Sequence, residues 1–213
     1  MQISDFSLYL ITDRLQTCGR PLEEVVRQAL DGGVKAVQLR EKDFSSVELY
    51  RLAREMRRLT ADYGARLIIN DRIDIAIAAD ADGVQIGVNS LPVAVVRSVL
   101  RQGNLIIYSA HSIEEVERVQ ADGADMVTFG PLYHTPSKAG YGVPCGVGKL
   151  SEAVRALNIP VIALGGVNQE NISEALSAGS RRVGVISAIL AAPDPRDAAA
   201  SLLKKIEAHV QNP

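Results

Sequence analysis

Gln38, Arg40 and Lys42 occupy alternate positions in the run Gln38-Leu39-Arg40-Glu41-Lys42. On an extended chain, alternate side chains share one side, so an amide, a guanidinium and an ammonium face the same way. That trio suits a multiply charged phosphate, with Arg giving bidentate contact and Lys a point charge. Two cations on a loop could instead serve only as solvated decoration. Gln38 argues against this, because it lies in an otherwise apolar run.

Other runs of polar residues carry similar promise. Asn70-Asp71 pairs an amide with a carboxylate, a donor set that can hold Mg²⁺ when water and phosphate oxygens complete the shell. The competing reading is an aspartate capping a helix over 72–79. Ser109-Ala110-His111-Ser112 offers a hydroxyl and, in His111, a proton carrier with an unperturbed pKa near neutrality. Gly130-Pro131-Leu132-Tyr133-His134-Thr135-Pro136-Ser137-Lys138 places two hydroxyls and an ammonium close together, an oxyanion clamp in a glycine-rich segment that could act as a lid. Gly165-Gly166 and Ile186-Ser187 allow close backbone approach to a phosphate.

These residues follow short β-branched runs that must be strands: 8–12, 35–40, 66–70, 83–87, 105–109, 126–130, 160–165 and 182–187. The runs are nearly continuous in apolar character, as parallel strands covered on both faces are. Amphipathic stretches separate them, with apolar stripes at Leu22, Val25, Val26, Ala29 and Leu30, and at Leu49, Leu52, Ala53, Met56 and Leu59. Ser112 to Glu115 reads as a capping box, Pro92 as a first-turn proline and Gly179 as a helix C-cap. A weak repeat of helix-ending turns recurs in Asp31-Gly32-Gly33, Ala81-Asp82-Gly83, Ala121-Asp122-Gly123 and Ala178-Gly179, each feeding a strand. The glycines there are expected to supply left-handed caps. Strand-helix units repeated through the chain predict an α/β fold, a single-domain (β/α)8 TIM barrel over residues 1–213. The rival, a doubly wound sheet, lacks a GxGxxG after its first strand. In a barrel, the loops at the C-terminal strand ends carry the chemistry, and the polar runs above sit there.

Composition limits the partners. The 213 residues include 23 basic and 25 acidic ones, a net charge of −2 that gives no electrostatic reason to expect nucleic acid. Cys18 and Cys145 are isolated, without CxxC spacing, so neither a disulfide framework nor a structural zinc site is expected. No signal peptide or bilayer-spanning run is visible, and the expectation is a cytoplasmic protein with no membrane partner. Periodicity leaves homo-oligomerisation open.

The polar runs together, in this order and spacing, resemble the thiamine phosphate synthase and thiazole tautomerase (TenI-like) superfamily from Tyr9 to Ile189. The synthase joins a hydroxymethylpyrimidine diphosphate to a thiazole phosphate and releases pyrophosphate. The resemblance implies that Gln38, Leu39, Arg40, Glu41, Lys42, Asn70, Ser109 and Lys138 hold the pyrimidine diphosphate, with Arg40 and Lys138 catalytic. It further implies that Asp71 binds Mg²⁺, and that Thr135, Pro136, Ser137, Gly166, Ile186 and Ser187 hold the thiazole phosphate. One departure stands out. Where the family usually carries a second aspartate ligand, this chain reads Gly87-Val88-Asn89-Ser90, so Ser90 replaces a carboxylate and the metal site loses charge. Gln85 likewise replaces a residue that is often His. Two other readings follow from the same scaffold. One is a tautomerase using His111 as its acid/base and no metal. The other is a non-catalytic regulatory protein. Retention of Gln38, Arg40, Lys42, Asp71 and Lys138 favours the synthase.

Overall fold

The computed structural model describes residues 6–135 and 143–211. Its eight parallel strands, β1 (Leu8–Ile11), β2 (Ala36–Leu39), β3 (Arg66–Asn70), β4 (Gly83–Ile86), β5 (Leu105–Ala110), β6 (Met126–Phe129), β7 (Val161–Leu164) and β8 (Arg182–Val185), close into a barrel in chain order. Helices α1 (Leu22–Asp31), α2 (Ser46–Asp62), α3 (Ile73–Ala78), α4 (Val93–Val99), α5 (Ile113–Ala121), α6 (Gly146–Ala156), α7 (Ile172–Ser177), α8 (Ser187–Leu190) and α9 (Pro195–Gln211) surround it. The expected α/β barrel is therefore present.

The period-2 geometry of a strand explains why its runs are apolar throughout. Tyr9, Ala36, Ile68, Ile107, Met126 and Ile162 fill the barrel interior, while Leu10, Val37, Leu67, Val84, Ile106 and Val127 pack outward against the helices. Parallel pairing keeps interior residues level: Ile11 lies opposite Gln38, Asn70 opposite Gln85, and Ser109 opposite Thr128. The upper interior is therefore polar and the lower interior largely apolar.

Several local expectations need correction. The eighth strand ends at Val185, because Ile186 turns the chain and Ser187 opens α8. Pro92 is the N-cap of α4, one residue before the first turn. Ser112 caps the Glu115 amide, but the Glu115 carboxylate accepts from the amide of His111, so the box is only half formed. The complete capping box is on α2, between Ser45 and Glu48. Gly33, Gly123 and Gly179 are left-handed as expected, with φ of 99°, 96° and 98°. At the second such turn Asp80 takes the left-handed conformation, and Gly83 instead lies inside β4. A Cβ on Gly83 would come within 2.3 Å of the Leu105 carbonyl oxygen, so that glycine serves close strand packing.

Candidate active site

A cleft opens where β1 to β5, β7 and β8 end. Ile11, Gln38, Arg40, Lys42, Asn70, Asp71, Gln85, Ser109, His111, Leu164 and Ile186 line it together with residues 86–90. Gln38 is the last interior residue of β2, and Arg40 and Lys42 continue its alternation into the loop. The Arg40 amide donates to Thr12 Oγ1 at 2.9 Å, which fixes where the chain leaves the barrel. Neither the Arg40 guanidinium nor the Lys42 ammonium has an ion-pair partner among the described residues.

The intervening residues face elsewhere. Leu39 packs outward in the core between barrel and helices. Glu41 is buried: its Oε1 accepts from Thr12 Oγ1 at 2.7 Å, and its Oε2 accepts from the Arg14 amide and guanidinium, each at 3.2 Å. The five-residue run assigned to substrate thus reduces to three side chains, because alternation that brings Gln38, Arg40 and Lys42 inward must send Leu39 and Glu41 away. Glu41 instead ties the β1 loop to the β2 loop.

Asp71 follows β3 in a left-handed conformation, φ 62°, and its amide donates to the Gln85 carbonyl at 2.8 Å. It does not cap α3, whose N-cap is Arg72 without a side-chain cap. Its Oδ1 accepts from Ser90 Oγ at 2.6 Å, while that same Oγ accepts from the Gly87 amide at 2.9 Å. Ser90 has therefore committed its proton and one lone pair to holding Asp71 and closing its own turn. Asp71 is the single carboxylate among the lining residues. Among the described residues no three His, Cys, Asp or Glu side chains gather as a metal cage. Asp71, the Asn70 amide and the Ser90 hydroxyl are a donor set too sparse for a dedicated cage, but they fit Mg²⁺ arriving with phosphate oxygens.

Beneath these groups runs a polar network that sequence reading did not assemble. Gln38 Nε2 donates to Tyr9 Oη at 2.9 Å and to Gln85 Oε1 at 2.5 Å. Gln85 Nε2 donates to Ser109 Oγ at 2.8 Å and to Thr128 Oγ1 at 3.2 Å. Burial pushes the Tyr9 phenol far above its ordinary pKa, so it stays neutral. The signal that could have found Gln85 and Thr128 is the one that found Gln38: a polar side chain at an interior position of an apolar strand.

His111 sits beyond β5 with Nδ1 2.6 Å from the Gly130 carbonyl oxygen. A carbonyl only accepts, so Nδ1 carries the proton. Ile186 lines the cleft, whereas Thr135, Gly166 and Ser187 lie outside its lining, on or beside the loops after β6, β7 and β8. Gly166 has φ 71°, and a Cβ there would meet Tyr133 Cβ at 2.8 Å, so the glycine lets the β6 and β7 loops touch. Pro136, Ser137 and Lys138 lie outside the described residues.

Comparison with known proteins places the chain in a family. The family model described as thiamine monophosphate synthase matches residues 8–189. A Geobacter sulfurreducens relative, whose name assigns it provisionally as a thiamine-phosphate synthase, is 56% identical over 93% of each chain. The thiamine-phosphate synthase of Roseiflexus sp. (strain RS-1) is 40% identical, covering 92% of this chain and 83% of its own. The solved thiamine phosphate pyrophosphorylase from Pyrococcus furiosus superposes with a TM-score of 0.89 at 36% identity, covering 98% of both chains.

Proposed function

The chain belongs to the thiamine monophosphate synthase family, and from that premise we propose that its cleft joins a hydroxymethylpyrimidine diphosphate to a thiazole phosphate. The enzyme is a transferase. The carbon–oxygen bond between the pyrimidine methylene and the diphosphate breaks, its electron pair leaving with pyrophosphate. The thiazole nitrogen forms the new carbon–nitrogen bond, giving thiamine phosphate. No protein nucleophile is needed. What the protein must supply is positive charge where the diphosphate leaves.

The observation that carries this reading is that Arg40 and Lys42, which have no ion-pair partner among the described residues, line one cleft with Gln38, Asn70 and Ser109. In this reading Arg40, Lys42 and Lys138 receive the leaving diphosphate, and Gln38, Asn70 and Ser109 orient the pyrimidine. Thr135, Pro136, Ser137, Gly166, Ile186 and Ser187 hold the thiazole phosphate. Mg²⁺, when bound, adds charge neutralisation at the diphosphate, with Asp71 as its carboxylate and Asn70 and Ser90 as neutral donors. The reading takes residues 1–213 as one catalytic domain acting on small molecules in the cytoplasm, with homo-oligomerisation open. No helix among the described residues is long and apolar enough to cross a membrane.

The test is incubation with both substrates and Mg²⁺, with thiamine phosphate and pyrophosphate measured directly. Equimolar products are expected, and EDTA should abolish them. His111→Asn should still couple measurably. A preparation that aromatises a thiazole carboxylate phosphate but never couples would point to the tautomerase instead.

A further inference from the structure

We propose that Thr12 and Glu41 are positioning residues that act through the backbone of Arg40 and set where its guanidinium meets the leaving diphosphate. The inference rests on the reading that Arg40 receives that diphosphate. Neither Thr12 nor Glu41 lines the cleft.

Arg40 depends on such help because nothing holds its side chain. Among the described residues its guanidinium has neither a hydrogen bond nor an ion pair, so its reach is decided where its backbone is held. β2 has already ended at Leu39. The last main-chain rung between β1 and β2 at this end is the Thr12 amide donating to the Gln38 carbonyl at 2.9 Å. Parallel geometry would run the next rung from the Arg40 amide to the Thr12 carbonyl. It goes instead to the Thr12 hydroxyl, at 2.9 Å. A side chain thus stands in for main chain, and the rotamer of Thr12 sets the point at which Arg40 turns away from the sheet.

The polarity of that rung is not open to choice. An amide N–H only donates, so Thr12 Oγ1 accepts from Arg40 and its own proton must go elsewhere. It goes to Glu41 Oε1 at 2.7 Å, and an ionised carboxylate only accepts. Thr12 is fully buried and Glu41 is 4% exposed, so either group left unpaired would carry its full desolvation cost. The Glu41 charge is met in turn, because Oε2 accepts from the Arg14 amide and guanidinium, each at 3.2 Å. Arg14 is itself held by the Asp43 carboxylate at 2.6 and 2.5 Å, and it lies 4.4 Å from the centre of the Phe44 ring. The series Arg40 amide, Thr12 hydroxyl, Glu41 carboxylate and Arg14 therefore runs in one direction only. Because Glu41 follows Arg40 directly, Thr12 grips the chain on both sides of the catalytic residue.

The experiment measures kcat/KM for the pyrimidine diphosphate, KM for the thiazole phosphate and the Kd of pyrophosphate with Mg²⁺, in the wild-type and Arg40→Ala backgrounds. Thr12→Val keeps the side-chain shape and deletes both hydrogen bonds. With Arg40 present it should lower kcat/KM for the diphosphate, and weaken pyrophosphate, roughly ten- to a hundredfold, since misplacement by about 1 Å can cost about 10²-fold. KM for the thiazole phosphate should stay within a few-fold. Thr12→Ser keeps the hydroxyl and should hold every value within a few-fold of wild type. Glu41→Gln leaves one acceptor oxygen for three donors and should act in the same direction by a smaller factor; it stands in if Thr12→Val does not fold. With Arg40→Ala in place, neither substitution should add more than a few-fold, because the group they position is gone. Undiminished losses in that background would overturn the proposal. So would a lowered melting temperature with unchanged kinetics and binding per folded molecule, which assigns Thr12 and Glu41 a merely structural role. Pyrophosphate binding that depends on Thr12 only while Arg40 is present, in a protein that never couples the substrates, would overturn the synthase reading and leave the positioning role standing.

Discussion

The cations that line the upper cleft and two of the arginines that line the lower hollow are in opposite states. At the lower end, where strands begin, Arg57 pairs with Asp82 and Arg97 with Asp125. Each aspartate also accepts a backbone amide from the neighbouring strand, Leu67 to Asp82 and Ile106 to Asp125, both at 2.7 Å. The device recurs two strands apart: a carboxylate after a helix-ending turn pins the start of a strand and is itself held by an arginine. At the upper end Arg40 and Lys42 have no such anion among the described residues. Cavity size ranks them the other way, since the lower hollow holds about 650 Å³ and the upper cleft about 200 Å³. Partnership separates them better. A charge already neutralised by its own fold maintains the fold, and a charge left open awaits a ligand.

The sharpest way to break that contrast is to remove one cation from each end. Arg40→Ala should lower the coupling rate on the order of 10²–10³-fold, as loss of one electrostatic contact to a leaving group does, with the melting temperature unchanged. Lys42→Ala should act in the same direction. Arg57→Ala should do the reverse. It leaves Asp82 without its cation at a site where that side chain is 25% exposed, and should destabilise by about 1–3 kcal/mol, a melting shift of about 3–10 °C. Its kcat per folded molecule should match wild type. Steady-state kinetics and calorimetry on the same preparations decide it, and exchanged effects would end the assignment of the upper cleft.

This contrast also shows what the sequence could and could not reveal. Gln38, Arg40 and Lys42 were legible because the period of a strand is local, and one residue's side determines its neighbour's. The same rule, applied strictly, would have excluded Leu39 and Glu41. Strand order and helix stripes were legible for the same reason. Contacts across the barrel were not: Gln85 bonds to Gln38 47 residues away and to Thr128 43 residues away, and no local pattern encodes that. The turn before β4 misled because two small changes compensate. Asp80 takes the left-handed conformation that glycine usually supplies, and Gly83 is spent on contact with β5.

A middle-sized effect is expected at Ser90. Its hydroxyl holds Asp71 through a 2.6 Å hydrogen bond, so it stands between the paired and open states. Ser90→Ala frees Asp71 to rotate and should raise the half-saturating Mg²⁺ concentration several-fold. Ser90→Asp adds a hard anionic oxygen beside Asp71 and should lower that concentration several-fold, because Mg²⁺ is held by few carboxylates plus substrate phosphates. Coupling rate against Mg²⁺ for the three proteins gives the order Ser90→Asp, wild type, Ser90→Ala. If Ser90→Asp instead raises the requirement, repulsion between the two carboxylates dominates, and Asp71 is no metal ligand in this chain.

The smallest effect should come from Arg101, and its smallness is informative. Arg101 lines the same lower hollow as Arg57 and Arg97, and its guanidinium lies 2.5 Å from Asp80. Geometry alone would rank this pair with the other two. Exposure ranks it apart: the two side chains are 68% and 74% exposed, and neither the guanidinium nor the carboxylate takes a further hydrogen bond among the described residues. Water already solvates both partners when separate, and salt screens them when together, so such pairs contribute less than about 1 kcal/mol. Arg101→Ala should therefore shift melting by less than about 3 °C, with the shift shrinking further in 0.5 M salt, roughly three times the physiological ionic strength. Arg57→Ala should keep most of its effect under the same salt, because Asp82 also holds the β3 backbone amide in a half-buried site. A salt-insensitive loss at Arg101 as large as that at Arg57 would show that the lower hollow closes in solution over charges now facing water. Open and paired charge would then no longer distinguish the cleft from the hollow.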